Sequence, residues 1–241
     1  MDMKNSFESL KSQGYVILQG QGIKNGSWSE ILNNQQTNFK EFHKSWDNLP
    51  ADNFLSDGGH YRFRRYSVFK YSEEGWLELL PHEPHFQSTY RNNMNGGIHR
   101  EYEAFEKKTI ENPLLKQLVK FVVESVSSFS KKEWRIQAHQ FRIQAKVDEA
   151  GQPTPEGIHR DGADFILIML LNRKNIVGGV NHIYDDAKRL VFGGILETAG
   201  DAVLLDDRKV WHGVSEVYPE KKREPAHRDV LVLTFHNEVE A

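Results

Sequence analysis

The stretch that decides the fold is Gly157–Leu171, which reads G-I-H-R-D-G-A-D-F-I-L-I-M-L-L. From Phe165 onward every residue of this stretch is apolar, which is the pattern of a strand buried inside a sheet. Just before that run, His159 and Asp161 are two residues apart, so on an extended chain they project from the same face. The stretch therefore predicts a buried strand whose entry directs an imidazole and a carboxylate into one pocket.

A third polar side chain of the same kind follows 51 residues (212 − 161) later, where His212 stands in the sequence V-W-H-G. The turn Gly200-Asp201 and the apolar run 202–205 lie between, so His212 is predicted to open a separate strand. Two histidines and one carboxylate form the facial triad that holds Fe(II) in non-haem oxygenases and leaves three coordination positions open. A zinc hydrolase accepts the same ligands, so the triad alone leaves both metals open.

These histidines also have an ordinary interpretation, as surface or core residues without a metal. The chain has 11 histidines, most histidines are plain surface or core residues, and a His-x-Asp triplet arises by chance. A second triplet, His227-Arg-Asp229, serves as an internal comparison. Its only downstream histidine, His236, lies on the same predicted strand and is too close to return from another strand. The His159 triplet is therefore the stronger candidate.

Arg228 follows His212 by 16 residues (228 − 212), at the start of the predicted strand Val230–Phe235. A guanidinium beside a metal can hold the far carboxylate of a dicarboxylate through two charge-assisted hydrogen bonds. 2-Oxoglutarate has this requirement, because its keto-acid end chelates the metal. The alternative is an ordinary surface ion pair with Glu224 or Asp229.

Along the whole chain, predicted helices come first and closely spaced strands follow. This order predicts an α+β fold with a double-stranded β-helix (jelly-roll) core and supporting helices. One domain spanning residues 1–241 is expected, with a helical N-terminal part at about 1–130 and the main strands at about 134–236. The early predicted elements are a strand at 15–18, helical segments at 28–46 and 102–129, a strand at 60–69, and a loop at 81–97 with a short strand near Phe86. The later predicted strands are 134–147, 165–171, 180–184, 190–196, 200–205, 210–217 and 229–236.

Composition narrows the classes of function. The formal net charge is −3, which provides no broad electrostatic reason to bind nucleic acid or anionic membrane. There is no cysteine, so any metal must lie on His, Asp or Glu. No apolar stretch is long enough to cross a bilayer, and the N-terminus has no signal-peptide core. A cytoplasmic protein is expected, and homo-oligomerisation is left open.

Several segments together resemble the Fe(II)/2-oxoglutarate-dependent dioxygenases that hydroxylate free aliphatic L-amino acids. The resemblance extends to the bacterial L-isoleucine 4-hydroxylases and to related proteins linked to biofilm and stress. The segments are H159-R-D161, F-I-L-I-M-L-L-N172, Gly178-Gly179, W-H212-G-V, H-R228-D-V-L-V-L-T-F235, R62-F-R-R-Y-S-V-F-K-Y71 and H139-Q-F-R142. The resemblance covers most of residues 58–236.

The resemblance implies roles for single residues. His159, Asp161 and His212 are matched to the catalytic iron ligands, and Arg228 to the 2-oxoglutarate anchor. Many relatives carry Ser or Thr two residues after that arginine, whereas this chain has Val230, so a second contact to the co-substrate carboxylate is not expected there. The implied reaction consumes 2-oxoglutarate and O2, releases succinate and CO2, and hydroxylates an unactivated carbon.

Candidates for binding the substrate carboxylate are Arg64 and Arg62, on the strand face shared with Tyr66, and Arg142 on the strand 134–147. The alternative for the 62–66 cluster is a charged, solvated edge strand. Trp211 and Phe141 are candidate pocket walls, although strand aromatics are more often core. Two further segments are predicted to be plain turns, Gly178-Gly179 and the solvated Asp206-Asp207.

Two other functions remain open on the sequence. In the first, the protein uses the same iron chemistry on another small metabolite or on a peptidyl substrate. In the second, the barrel has no catalytic activity and binds a metabolite as a sensor. The expected partner in the favoured case is a small amino-acid substrate, with no nucleic acid and no membrane.

Overall fold

A seven-stranded antiparallel sheet forms the centre of the protein, with strands in the order β1-β11-β7-β14-β6-β2-β3. The computed structural model describes residues 3–20, 27–126 and 133–237. The strands of this main sheet are β1 (Tyr15–Leu18), β2 (Arg62–Tyr71), β3 (Leu77–Leu79), β6 (Trp134–Ala145), β7 (Phe165–Lys174), β11 (Ala202–Asp206) and β14 (Ala226–Asn237). The long central pairs β14–β6 and β14–β7 set the register of the sheet.

Three smaller sheets complete the described part of the fold. They are β10-β9-β12, β13-β8 and β4-β5. Their strands are β4 (His85–Phe86), β5 (His99–Arg100), β8 (Ile176–Gly178), β9 (Val180–Tyr184), β10 (Leu190–Ile195), β12 (Trp211–Val214) and β13 (Val217–Pro219). The β10-β9-β12 sheet is called the minor sheet below. The protein has the double-stranded β-helix core that the strand pattern predicts.

Helices cover one face of the main sheet. They are α1 (Met3–Gln13), α2 (Ser27–Asn34), α3 (Gln36–Lys44), α4 (Lys107–Ile110) and α5 (Pro113–Val126), with a 3-10 turn at Ser45–Asn48. The largest apolar cluster lies at this interface, where Leu118 of α5 and Trp46 pack with Trp134, Leu231 and Leu233 of the sheet. Burial of this apolar surface is the main force that holds helices and sheet together.

The opposite face of the main sheet lines a cavity. Along β14, Leu231 and Leu233 belong to the helix-side core, whereas Val230, Val232 and Thr234 line the cavity. This follows from the period of two in a strand. β7 is apolar from Phe165 to Leu171 because this part is covered on both sides. Leu167 and Met169 pack under the helices, and Ile166, Ile168 and Leu170 pack in two other clusters.

Most predicted elements are present, with shifted bounds. The predicted helix at 102–129 is wrong for residues 102–106, and its helical part is divided before Pro113 into α4 and α5. Phe129, the predicted end of that helix, lies outside the described residues. The His159 triplet, predicted to open the buried strand in extended form, lies in the loop before β7, which begins at Phe165, and His159 forms an isolated bridge with His212 there. The strands β3, β5 and β8 are additional, and the predicted strand 210–217 is divided between β12 and β13.

The part of the chain before residue 130, predicted to be mainly helical, also contributes β1, β2 and β3 to the main sheet. Within the described ranges, no helix has the length and apolar character needed to span a membrane.

Candidate active site

His159, Asp161 and His212 meet at the mouth of the cavity, with one ligand atom from each lying within 4.8 Å of the other two. The Asp161 carboxylate lies between the two imidazoles, 3.7 Å from Nε2 of His159 and 3.6 Å from Nε2 of His212. The two rings are 4.4 Å apart between centroids. The structure therefore brings together the three side chains that the sequence singled out.

Backbone pairing positions the two histidines. The amide of each donates to the carbonyl of the other, at 2.9 and 3.0 Å, so the loop before β7 and the start of β12 are held side by side. Nδ1 of His159 lies 3.0 Å from the carbonyl oxygen of Gly157. When this nitrogen donates, Nε2 of His159 is left as the free lone pair that a metal requires.

Asp207 supports the same arrangement, and the prediction of a solvated Asp206-Asp207 turn is wrong, because both residues are buried. The Asp207 carboxylate accepts hydrogen bonds from the backbone amides of Asp161, Gly162 and Ala163. It also lies 3.8 Å from Nδ1 of His212. Burial, followed by the Asp161 charge, raises the pKa of Asp207 to about 7. This carboxylate thus holds the Asp161 loop and lies beside the His212 ring, whose Nδ1 has no hydrogen-bond partner among the described residues.

The three side chains fit a divalent metal. Two bonds of about 2.1 Å to one ion can span up to about 4.2 Å, and the measured separations of 3.6 and 3.7 Å lie within that limit. Burial, followed by repulsion from His159, lowers the pKa of His212 to about 3, so this imidazole is in the neutral form that binds metals. Two imidazole nitrogens and one carboxylate, with no thiolate, suit Fe(II).

Gln87 contacts the triad from a different part of the chain. Its Nε2 donates to Oδ1 of Asp161 at 3.2 Å, and its Oε1 accepts from Nη2 of Arg100 at 2.9 Å. The segment between β4 and β5 is thereby connected to the carboxylate of the triad.

Arg228 lies deeper in the cavity, fully buried on β14. Its Nε and Nη2 have no hydrogen-bond partner among the described residues, and the proposed surface pair with Glu224 or Asp229 does not form. Burial, followed by the charge of Arg173, lowers the pKa of Arg228 to about 10. Arg173 is opposite Arg228 in the β7–β14 register and also keeps a buried Nη1 without a partner. Two adjacent guanidiniums favour a dianionic ligand.

The turn Gly178-Gly179 closes around these arginines, as the sequence predicts a turn there. Both glycines have positive φ, 80° and 71°. A Cβ on Gly179 would lie 3.1 Å from Nη1 of Arg173. The turn therefore needs glycine for its backbone conformation and for space beside the guanidinium.

A second group of cations lines the other part of the cavity. Arg62 and Arg64 lie on β2 with Asp52 behind them: Nε of Arg62 is 2.7 Å and Nη1 of Arg64 is 3.8 Å from Oδ2 of Asp52. The Arg64 guanidinium is stacked between two rings, 3.8 Å from the centroid of Tyr102 and 4.4 Å from that of Phe141. Neither arginine belongs to a solvated edge strand, because both are buried.

Tyr66 shares the Arg64 face of β2 but is placed behind the cavity wall. Its ring stacks on His139 at 4.9 Å and lies 5.0 Å from His85. Both histidines line the cavity, and burial, followed by the Arg64 charge, lowers their pKa values well below the usual range. These rings form a neutral wall beside Arg64.

Arg142 is not brought to the cavity. It lies on the helix-side face of β6, where it forms hydrogen bonds of 2.7 and 2.8 Å with the Asp229 carboxylate. Phe141, the preceding residue, lines the cavity. Trp211 lies outside it, with Arg160 and Lys188 against its ring.

Comparison with known proteins agrees with this geometry. The model of the family described as 2OG-Fe dioxygenase matches residues 43–234, which is most of the chain.

The chain belongs to the 2OG-Fe dioxygenase family.

Two curated relatives of this dioxygenase have related names. The 3(1)-hydroxy-L-isoleucine 4-dioxygenase of Pantoea ananatis is 26% identical over 238 residues, which is 96% of this chain and 95% of the relative. The L-isoleucine-4-hydroxylase of Bacillus thuringiensis is 27% identical over 182 residues, covering 73% and 75% of the two chains. The crystal structure of a bsmA homolog from Methylobium petroleophilum superposes with a TM-score of 0.87 at 30% identity, covering 99% and 94%.

Members of this family are enzymes that use Fe(II), 2-oxoglutarate and O2, and the His-Asp-His cluster supplies a suitable metal site in this chain. Sequence reasoning missed Asp207, Gln87, Arg100 and Glu156 as contributors to the site. The last three stand in or beside loops, where no periodic pattern indicates which way a side chain points.

Proposed function

We propose that this dioxygenase hydroxylates an unactivated carbon of a free, aliphatic L-amino acid and releases succinate and CO2. The observation that carries the proposal is the pairing of the His159–Asp161–His212 cluster with the unpartnered, buried Arg228 in one cavity. The names of the two curated relatives, both of which refer to isoleucine or its hydroxylated form, support the substrate class.

The chain's residues have distinct tasks in this proposal. His159, Asp161 and His212 would hold Fe(II), and Arg228 would bind the distal carboxylate of 2-oxoglutarate through charge-assisted hydrogen bonds. When bound, the metal, the co-substrate and O2 supply the oxidising chemistry. Asp207 keeps the Asp161 loop in position and places its charge beside the His212 ring, and the apolar side chains Val230 and Val232 would limit water in the cavity.

The substrate carboxylate would be bound by the buried cations on the β2 side, above all Arg64. This guanidinium is fixed between two rings and keeps a buried Nε without a partner. Fixing a guanidinium in advance lowers the entropy that is lost on binding. Phe141, Ile143 and Ile168 line the same cavity and would contact an aliphatic side chain.

The test is turnover of an amino-acid panel. The pure protein is incubated with Fe(II), 2-oxoglutarate, O2 and each common L-amino acid or 3(1)-hydroxy-L-isoleucine. Succinate should form in a substrate-dependent manner, together with a product heavier by one oxygen atom. His212→Ala should form neither, whereas His60→Ala, outside the cavity lining, should behave as wild type.

Two outcomes separate the alternatives. If Fe(II) and 2-oxoglutarate bind anaerobically with a visible metal-to-ligand band but no amino acid is oxidised, the substrate is another small metabolite or a peptide. If the band also fails to form, the protein is a binding barrel without this chemistry.

A further inference from the structure

Glu156 is a buried acid in the cavity wall that the proposed reaction has not yet used. Its side chain is 11% exposed, and it lines the cavity together with His159 and Arg62. Its Oε2 is buried and has no hydrogen-bond partner in the part of the chain that the structure describes. Its Oε1 lies 3.6 Å from Nε2 of His159.

His159 cannot supply the missing donor in the metal-loaded enzyme. Nε2 is the nitrogen that faces Asp161 in the triad, and a metal-bound Nε2 carries no proton. Nδ1 is occupied by the Gly157 carbonyl. Among the described residues, no Lys or Arg nitrogen forms an ion pair with Glu156 within 4 Å; only His159 does. The charge of Arg62 acts on Glu156 only from beyond ion-pair distance. A largely buried carboxylate oxygen without a donor is unfavourable, so a ligand that brings a positively charged donor is expected.

The rest of the cavity is lined by positively charged side chains. Arg64 and Arg100 line it and each keeps a buried Nε without an acceptor, and Arg62 lies on the same strand face as Arg64. Asp52 neutralises only part of this charge, since its contacts are with Arg62 and Arg64. One cavity therefore presents a carboxylate oxygen without a donor and guanidinium nitrogens without acceptors, which is the complement of a zwitterion.

We propose that Glu156 receives the α-ammonium group of the substrate while Arg64 and Arg100 receive its α-carboxylate. This assignment rests on the proposed function, and it adds to it the residue that would bind the free amine of the substrate. An ammonium group has three donors, enough for the free oxygen of Glu156 and for further acceptors. An N-acylated or peptidyl amino acid has lost this charge and should bind poorly.

The test compares two ligands that differ only at the amine. L-Isoleucine and (2S,3S)-2-hydroxy-3-methylpentanoic acid are titrated by calorimetry into the protein with Fe(II) and 2-oxoglutarate, without O2 so that no turnover occurs. Wild type should prefer L-isoleucine. Glu156→Gln should weaken L-isoleucine about tenfold to a hundredfold, the loss expected for a charge-assisted bond, and should change the hydroxy acid by less than about threefold.

Controls separate this role from metal binding or folding. Glu149→Gln removes an acid of the same loop whose contacts are with Lys146 and the His60 amide, and it should leave both affinities unchanged. The visible band of the Fe(II)–2-oxoglutarate complex should persist in Glu156→Gln, which shows that the protein is folded and the metal site intact.

Three results overturn the assignment. A loss of Fe(II) affinity in Glu156→Gln would make Glu156 a metal ligand, and an equal loss for both ligands would make its role structural. Unchanged L-isoleucine affinity would remove any role in substrate binding. In all three cases wild type still oxidises an amino acid, so the proposed function stands; if wild type neither binds nor oxidises any amino acid of the panel, both proposals fail together.

Discussion

Arg228 is the residue whose state is least explained by folding alone. It is 2% exposed, with a register neighbour of like charge in Arg173 and no ion pair of its own in the described ranges. Such a cation costs stability unless a ligand compensates it. Because Arg228 lies in the same cavity as the metal triad, a dicarboxylate bound there would compensate its charge.

Replacing Arg228 should therefore weaken the binding of 2-oxoglutarate without lowering the stability of the folded protein. In Arg228→Gln, we expect the KM for 2-oxoglutarate to rise about tenfold to a hundredfold, because charge-assisted hydrogen bonds to its distal carboxylate are lost. The melting temperature without ligands should not fall, because a buried unpaired charge has been removed. Succinate formation against 2-oxoglutarate concentration and thermal unfolding measure the two effects. Arg189→Gln, at an 80% exposed side chain, is the control; an unchanged KM in Arg228→Gln would contradict the anchor.

Asp207 acts through its neighbours, so its loss should affect metal affinity. Asp207→Asn keeps the volume but removes an acceptor from the amides of Gly162 and Ala163 and the charge beside His212. Loss of such a supporting carboxylate commonly weakens metal binding by about 10–100-fold. Anaerobic Fe(II) titration measures this, with Asp185→Asn, on an exposed turn with Arg189, as control. Wild-type affinity in Asp207→Asn would restrict Asp207 to a role in folding.

At the scale of single elements, Asp229 connects a helix to two strands. On β14, its carboxylate accepts two hydrogen bonds from Arg142 of β6 and lies 3.1 Å from Nε2 of His43 in α3. Burial acts to raise the pKa of Asp229, but the bonds from Arg142 and His43 outweigh it, so the pKa is lowered. The arginine on the helix-side face thus has a structural partner.

This connection predicts a pH dependence of stability. A carboxyl whose pKa is lower in the folded state contributes stability above its unfolded pKa of about 3.9 and loses it as pH falls through the folded value. We expect Asp229→Asn to lower the free energy of unfolding at pH 7 by about 2–3 kcal/mol, with a smaller difference from wild type below about pH 4. Urea unfolding across this pH range measures both; a difference independent of pH would contradict the assigned cause.

Strand periodicity explains how much of the site was predictable. The alternation of β2 correctly placed Arg62 and Arg64 on one face, and the apolar run 165–171 correctly predicted a buried strand. The face of β6 that lines the cavity follows only from its pairing, in which Phe141 is opposite Arg64 and Arg142 is opposite Phe63. Arg142 could not be assigned without that register.

Loop residues were less predictable for a different reason. Asp206 and Asp207 have the composition of a solvated turn, yet both are buried because the turn packs under the loop that carries Asp161. Gln87 reaches the same carboxylate from 74 residues away in sequence. Such contacts depend on how distant loops meet, which no local pattern encodes.

At the scale of the whole molecule, the triad connects two sheets. Asp161 lies in the loop that leads into β7 of the main sheet, and His212 lies on β12 of the minor sheet. The pair of backbone hydrogen bonds between His159 and His212 already connects the loop to β12 at this point. A metal bound by Asp161 and His212 would hold the two sheets together beside the cavity.

Metal binding should therefore protect this junction selectively. With anaerobic Fe(II) and 2-oxoglutarate at about 100 times their dissociation constants, ligand binding can stabilise the folded junction by up to about 2.7 kcal/mol. Amide hydrogen exchange at His159, Gly162, Ala163 and His212, whose amides donate to this junction, should slow by up to about 100-fold where local opening governs exchange. The core amide of Leu233 should change much less, because its exchange requires wider unfolding. Asp161→Ala should abolish the selective effect, and uniform slowing across the main sheet would show that the metal does not act as a connection between the two sheets.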